Sequence, residues 1–152
     1  MISKRIPVAL VSITLVGCGI VGNYSSIYFY PTATKSSEPK LQGILYHLTG
    51  TVKLATPDGQ EFVGTLKAIE RPKDPNDFMF SNELSFPKYW NSIFGESFYS
   101  KNVLGERSFR RSILTSASGS HMYIEALIEY KERPRVIGVA LDENKQVYKV
   151  TI

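Results

Sequence analysis

One cysteine, two histidines and one tryptophan in 152 residues set limits before any pattern is sought. A single thiol, Cys18, cannot form a disulfide within the chain. His47 and His121 stand at no metal-ligand spacing with each other, with the cysteine or with an acid, so no metal site and no cofactor is expected. There is no GxSxG elbow. Ser118-Gly119-Ser120-His121 reads better as a turn opening a strand than as part of a hydrolase, and no catalytic residue is assigned. The expectation is a protein that is not an enzyme. Charge of one sign is also missing: 18 lysines and arginines face 14 acids. That balance does not call for nucleic acid.

What is present begins with a basic start, Lys4 and Arg5, and an uncharged apolar run over residues 6–16. The run has the length of a secretory hydrophobic region and is short for a membrane span. It ends in Leu15-Val16-Gly17-Cys18. This resembles a lipobox, which places the first residues with bacterial lipoproteins as a class and assigns no functional family to the rest. The resemblance implies cleavage between Gly17 and Cys18, a diacylglyceryl group on the Cys18 sulfur and acylation of the new amine. Such chains bury about 0.8 kcal/mol per methylene and hold almost irreversibly when two or three act together. Where two membranes are present, Gly19 rather than Asp after the cysteine implies an outer-membrane anchor facing the periplasm. Loss of residues 1–17 would lower lysine plus arginine from 18 to 16 against 14 acids, a formal +2 in place of +4.

Two other readings of this segment remain. An uncleaved N-terminal helix could run on through residues 19–22, although those glycines weaken a helix. Gly17-Cys18-Gly19-Ile20-Val21-Gly22 also spells GxGxxG. A dinucleotide site needs a helix after the glycines and an acid ending a second strand, whereas here Asn23-Tyr24-Ser25-Ser26 follows and Glu38 lies in a Ser/Pro/Lys linker.

The domain plan is therefore a signal peptide at 1–17, a lipidated tether at 18–40 and a β domain at 41–152. Within the tether, Ile27-Tyr28-Phe29-Tyr30 is an apolar island, read as an extra edge strand packed on the domain. Residues 41–54 read as one long or interrupted strand broken near Gly50. Thr56-Pro57-Asp58-Gly59 is a turn, and residues 61–69 return with Phe62, Gly64, Leu66 and Ala68 on one face. Residues 109–116, 121–130, 135–141 and 146–152 then form a four-stranded meander. Its connections are too short for crossover helices, so the strands are antiparallel. The predicted fold is mainly β: a small antiparallel barrel or curved sheet of about six strands, with one short helix in a central insertion. Gly138 inside a strand predicts a bend or a close backbone approach.

The insertion, residues 71–107, is the most aromatic stretch. Residues 87–94 fit a short helix with Pro87 in its first turn and Gly95 as its stop. Its aromatics have two readings: a plug or cover for the β-sheet, or a partner surface made by Phe78, Phe80, Tyr89, Trp90, Phe94 and Tyr99. Glu125 and Glu129 share one face roughly 13 to 14 Å apart, too far for an acid/base couple. They are expected to be solvated and to pair with cross-strand cations such as Arg111, Arg135 or Lys149. Arg110 and Arg111, next to Arg107, point to opposite faces, and a solvated edge is the default there. The functional expectation is a membrane-anchored envelope lipoprotein, structural or accessory, that docks another envelope protein. The alternative is a periplasmic ligand-binding or inhibitor-type module, and a hydrolase is the weakest reading.

Overall fold

The computed structural model describes residues 23–33, 39–69 and 86–152. Period-two alternation closes on itself in an antiparallel meander. The strands are β1 (Tyr24–Pro31), β2 (Leu41–Tyr46), β3 (Thr51–Ala55), β4 (Glu61–Thr65), a two-residue β5 (Lys67–Ala68), β6 (Phe109–Ser116), β7 (His121–Glu129), β8 (Arg135–Asp142) and β9 (Val147–Thr151). Eight of them form a barrel in the order β1-β2-β3-β4-β6-β7-β8-β9, with β5 as an extra strand on β6. Closure is made where β1 meets β9, from Tyr28↔Thr151 to Pro31↔Tyr148, and where Phe62 and Val63 of β4 meet Ser116 and Thr115 of β6.

The barrel is thus closed and has eight staves, where about six strands were expected. Two local features account for the difference. Residues 41–54 are two strands, since Gly50 takes φ +70° and lets the chain reverse so that Tyr46 pairs with Thr51. A side chain there would also strike the Leu66 carbonyl, 2.7 Å from an added Cβ. The second feature is β1, which lies in the stretch expected to be tether and edge strand. It is bonded on both sides, to β2 and β9, and Ile27 and Phe29 point into the core.

The barrel interior is filled by alternate side chains, among them Phe29, Leu45, Leu54, Leu114, Ile124, Val136 and Val150. Burying apolar area at roughly 25 cal/mol per Å² makes this lining the main driving force for closure. Gly138 faces the same interior. An added Cβ would lie 2.5 Å from the Glu125 carbonyl oxygen, so the expected close approach is present.

Outside the barrel a second apolar cluster joins Phe86, Trp90, Tyr99 and Val103 to Phe109, Leu127, Val139 and Leu141 of the staves. It is built by helix α1 (Phe86–Phe94) and a π-helical turn at Tyr99–Val103. The helix ends at Gly95, as its sequence predicts, and the Asn91 side chain accepts the Tyr99 N–H at 2.9 Å to tie the two pieces together. The insertion therefore covers one outer wall of the barrel. Among the described residues no helix is long and apolar enough to cross a membrane.

Candidate functional site

In an up-and-down meander every second turn falls at the same end. The β3–β4, β6–β7 and β8–β9 turns therefore gather around one mouth of the barrel. They enclose a cavity of about 280 Å³. Leu41, Phe62, Met122 and Tyr148 contribute its apolar lining, while Asp58, Gln60, Ser120, His121, Asp142, Glu143 and Asn144 contribute its polar groups.

The acids of this mouth are fixed by local bonds. The Thr56 hydroxyl donates to Asp58, and the Gln60 side chain donates to its other oxygen at 3.1 Å. Thr56 above all, with backbone and Gln60 donors, holds the Asp58 carboxyl below its usual range against an opposing effect of desolvation. Asp142 accepts from the Gln146 N–H at 2.8 Å and from the Tyr148 hydroxyl at 3.3 Å, and Glu143 accepts from the His121 N–H at 2.9 Å. The result is an apolar depression edged by anchored carboxylates. Chemically it suits a small apolar group carrying N–H or cationic donors, and it is tight for a larger ligand.

A second polar constellation lies under α1. Arg111 and Glu125 sit directly opposite each other on β6 and β7 and form an ion pair at 2.8 Å, while Trp90 Nε1 donates to the other carboxylate oxygen at 2.9 Å. Glu125 is completely buried. Burial pushes its carboxyl up to about 7, with Arg111 and Trp90 pulling the other way. Glu125 was expected to be solvated, and this is a correction: Arg111 is indeed its cross-strand partner, but the helix has removed both from water, leaving the Arg111 side chain 15% exposed. Glu129 stays exposed and pairs with Lys131 at 3.0 Å.

The residues expected to form a partner surface fall into three groups. Trp90 and Tyr99 are buried, so they serve the domain's own packing. The physical reason is that β8 is apolar on both faces from Val136 to Leu141 and β7 adds Leu127 beside it, and this outer surface needs a cover. Tyr89 and Phe94 are half-buried, with Phe94 stacked on Phe98 at a centroid distance of 5.0 Å and tilted against Trp90 at 5.4 Å. Phe78 and Phe80 lie outside the described residues, as do Gly17 and Cys18.

The two histidines are apart. His47, in the β2–β3 turn, bonds Ser25 at 2.8 Å and meets the Tyr130 ring edge-on at 5.6 Å. Burial lowers its pKa. His121 lies at the opposite mouth, 3.3 Å from the Thr115 hydroxyl. Among the described residues no three of His, Cys, Asp and Glu come together as a metal site. The mouth itself was missed at the sequence level, although its signal was there: Thr56-Pro57-Asp58-Gly59, Ala117-Ser118-Gly119-Ser120 and residues 142–145 are alternate turns of one meander. Compared with known family models, curated proteins and solved structures, the chain matches none.

Proposed function

We propose that this chain is a lipid-anchored envelope protein, held through Cys18, whose barrel is a non-catalytic module that docks another envelope protein at the far mouth. What supports the reading is the barrel's polarity. The strand that follows the lipobox by six residues, β1, starts at one end, and the anchored acids and cavity lie at the other. A filled barrel closes its own interior to a partner, and the mouth offers a place where a partner side chain can enter. The partner presents an apolar residue flanked by cationic or amide donors, matching the floor and the rim. The anchor belongs to the outer membrane, facing the periplasm.

The cavity's apolar floor favours one second reading, a small-ligand or inhibitor-type binding module. Photocrosslinking in intact cells from Gln60 and Asn144 separates the two. A discrete protein adduct at the mouth is the result expected for docking, whereas no adduct together with a thermal shift by small amphipathic cations would move the assignment to ligand binding. The anchor has its own check: intact mass should show a chain beginning at an acylated Cys18, and Cys18→Ser should release the protein from membranes. An unmodified chain that still begins at Met1 would end the lipoprotein reading.

A further inference from the structure

Among the described residues, the end opposite the acidic mouth carries the β2–β3 and β7–β8 turns, the first residues of β1 and Leu66, where the chain leaves β4 and its N–H donates to the Gly50 carbonyl at 2.9 Å. The His47 N–H donates to the Asn23 carbonyl at 2.8 Å, and the His47 and Tyr130 rings touch, so the two turns and the start of β1 form one surface. That surface carries Leu48, 81% exposed, Tyr24, 62% exposed, and Tyr130, 49% exposed. Turn tips at the other end carry Pro57-Asp58-Gly59, Ser118-Gly119 and Glu143-Asn144-Lys145, with no large apolar side chain. The asymmetry is chemical as well as apolar. Residues 129–135 hold Lys131, Arg133 and Arg135 against Glu129 and Glu132, whereas Asp58, Asp142 and Glu143 edge the other mouth.

We infer that the end carrying Tyr24, Leu48 and Tyr130 lies against the phospholipid surface that holds the acyl chains, so that the barrel stands on the membrane with its acidic mouth pointing away. The inference rests on the lipidation of Cys18 proposed above. Five residues lie between Cys18 and Tyr24. Fully extended, the six steps of chain from one to the other span at most about 20 to 22 Å. A link that short keeps the near end beside the bilayer and leaves the far mouth outside it. Tyrosines favour the headgroup region, where the ring is apolar and the hydroxyl stays wet, and Leu48 at the tip can enter the acyl boundary. Arg133 and Arg135, both exposed, complement anionic headgroups, while Lys131 pairs with Glu129. The anchor supplies attachment, and this end supplies orientation.

The test uses the full chain recovered from bacterial membranes and reconstituted in vesicles of phosphatidylethanolamine and phosphatidylglycerol. Leu48→Cys and Asn144→Cys, both at exposed turn positions, are labelled with a polarity-sensitive fluorophore, and the mass of each sample reports whether Cys18 is acylated. The label at 48 should shift to the blue and be quenched severalfold less by a water-soluble quencher than the label at 144. Adding Tyr24→Ser and Tyr130→Ser to the Leu48→Cys chain should remove most of that protection. Equal quenching at 48 and 144 on an acylated chain overturns this orientation while leaving the anchor standing. An unacylated Cys18 overturns the anchor, and the orientation with it. A discrete protein adduct in place of lipid, captured by a photocrosslinker at position 48 in intact cells, would also overturn it, because the surface would then be a protein interface.

Discussion

On the wall made by β1 to β4, outward positions such as Ser26, Gln42, Ile44, Lys53 and Val63 are exposed, and burial alternates residue by residue. On the wall made by β6 to β8, outward Phe109, Glu125, Leu127, Val139 and Leu141 are buried, and β7 is buried without a break from Ile124 to Ile128. The interior faces of both walls are alike. What differs is the cover: α1 and the π-helical turn lie over β6 to β8, and among the described residues nothing comparable lies over β1 to β4. An outward position is therefore not wet by virtue of its place in the alternation. Its environment is decided by an insertion distant in sequence, and the same cross-strand Arg–Glu pair that would be a solvent-screened contact on the bare wall becomes a buried ion pair beneath Trp90.

The sharpest way to break this contrast is to remove the cover's anchor. Trp90→Ala deletes a fully buried ring, opens a cavity beside Val139 and Leu141, and leaves Glu125 without one donor. A loss of about 3 to 5 kcal/mol is expected in denaturant unfolding. Tyr30→Ala, on the bare wall, should cost far less. Equal costs would mean that α1 contributes no more to stability than an exposed side chain does.

Glu125 gives the contrast a pH signature. Because its carboxyl is raised to about 7 in the fold, the folded chain binds more protons than the unfolded chain between its ordinary pKa and about 7. The stability it contributes is thus full below its ordinary pKa and is lost as pH rises through about 7, the opposite of an exposed salt-bridged carboxylate. The loss is on the order of 3 kcal/mol from the size of that shift. Glu125→Gln can still accept from Trp90 and no longer titrates, so the difference in unfolding free energy between the two proteins should change across that window and flatten above it. A difference that stays constant with pH would show that Glu125 remains ionised throughout.

Much of the interior was legible from the residues. The turns, the antiparallel meander, the helix with Gly95 as its stop, and the close approach at Gly138 all follow from local chemistry that one strand or one turn carries by itself. The number of staves was legible only in part, because Gly50 can be read as a flaw in a long strand or as a reversal between two. The candidate site was less legible still. Each turn of the acidic mouth is visible alone, but their convergence depends on closure through the short β4–β6 and β1–β9 pairings. The cover over Glu125 did leave a trace, since Ile137, Val139 and Leu141 make the outer face of β8 apolar, the pattern of a strand buried on both sides, with Leu127 of β7 beside it. The glutamate's polarity pointed to water instead.

Gly138→Ala sharpens the comparison from the inside. Its added Cβ meets the Glu125 carbonyl and Ala126, both in the clad half of the barrel, where backbone cannot give way toward solvent. A cost of about 1 to 3 kcal/mol is expected from overpacking, read in thermal unfolding. No measurable cost would mean that the β7–β8 spacing relaxes easily despite the helix outside it.

The smallest effect belongs to the bare wall and tests the claim that it is bare. Ile44 and Val63 flank Lys53 across β2, β3 and β4 and are 39% and 37% exposed. Polar replacement there removes little buried area, because each side chain already meets water along a good part of its surface. Ile44→Thr and Val63→Thr keep the β-branch that suits a strand, so stability should change by no more than about 0.5 kcal/mol each. The same exchange at Val139 on the clad wall puts a hydroxyl among Trp90, Leu141 and their neighbours and should cost several times more. Should the Ile44 or Val63 variants instead lose as much as Val139→Thr in the isolated protein, those positions must be covered too, and the two walls would differ in which segment covers them rather than in whether they are covered.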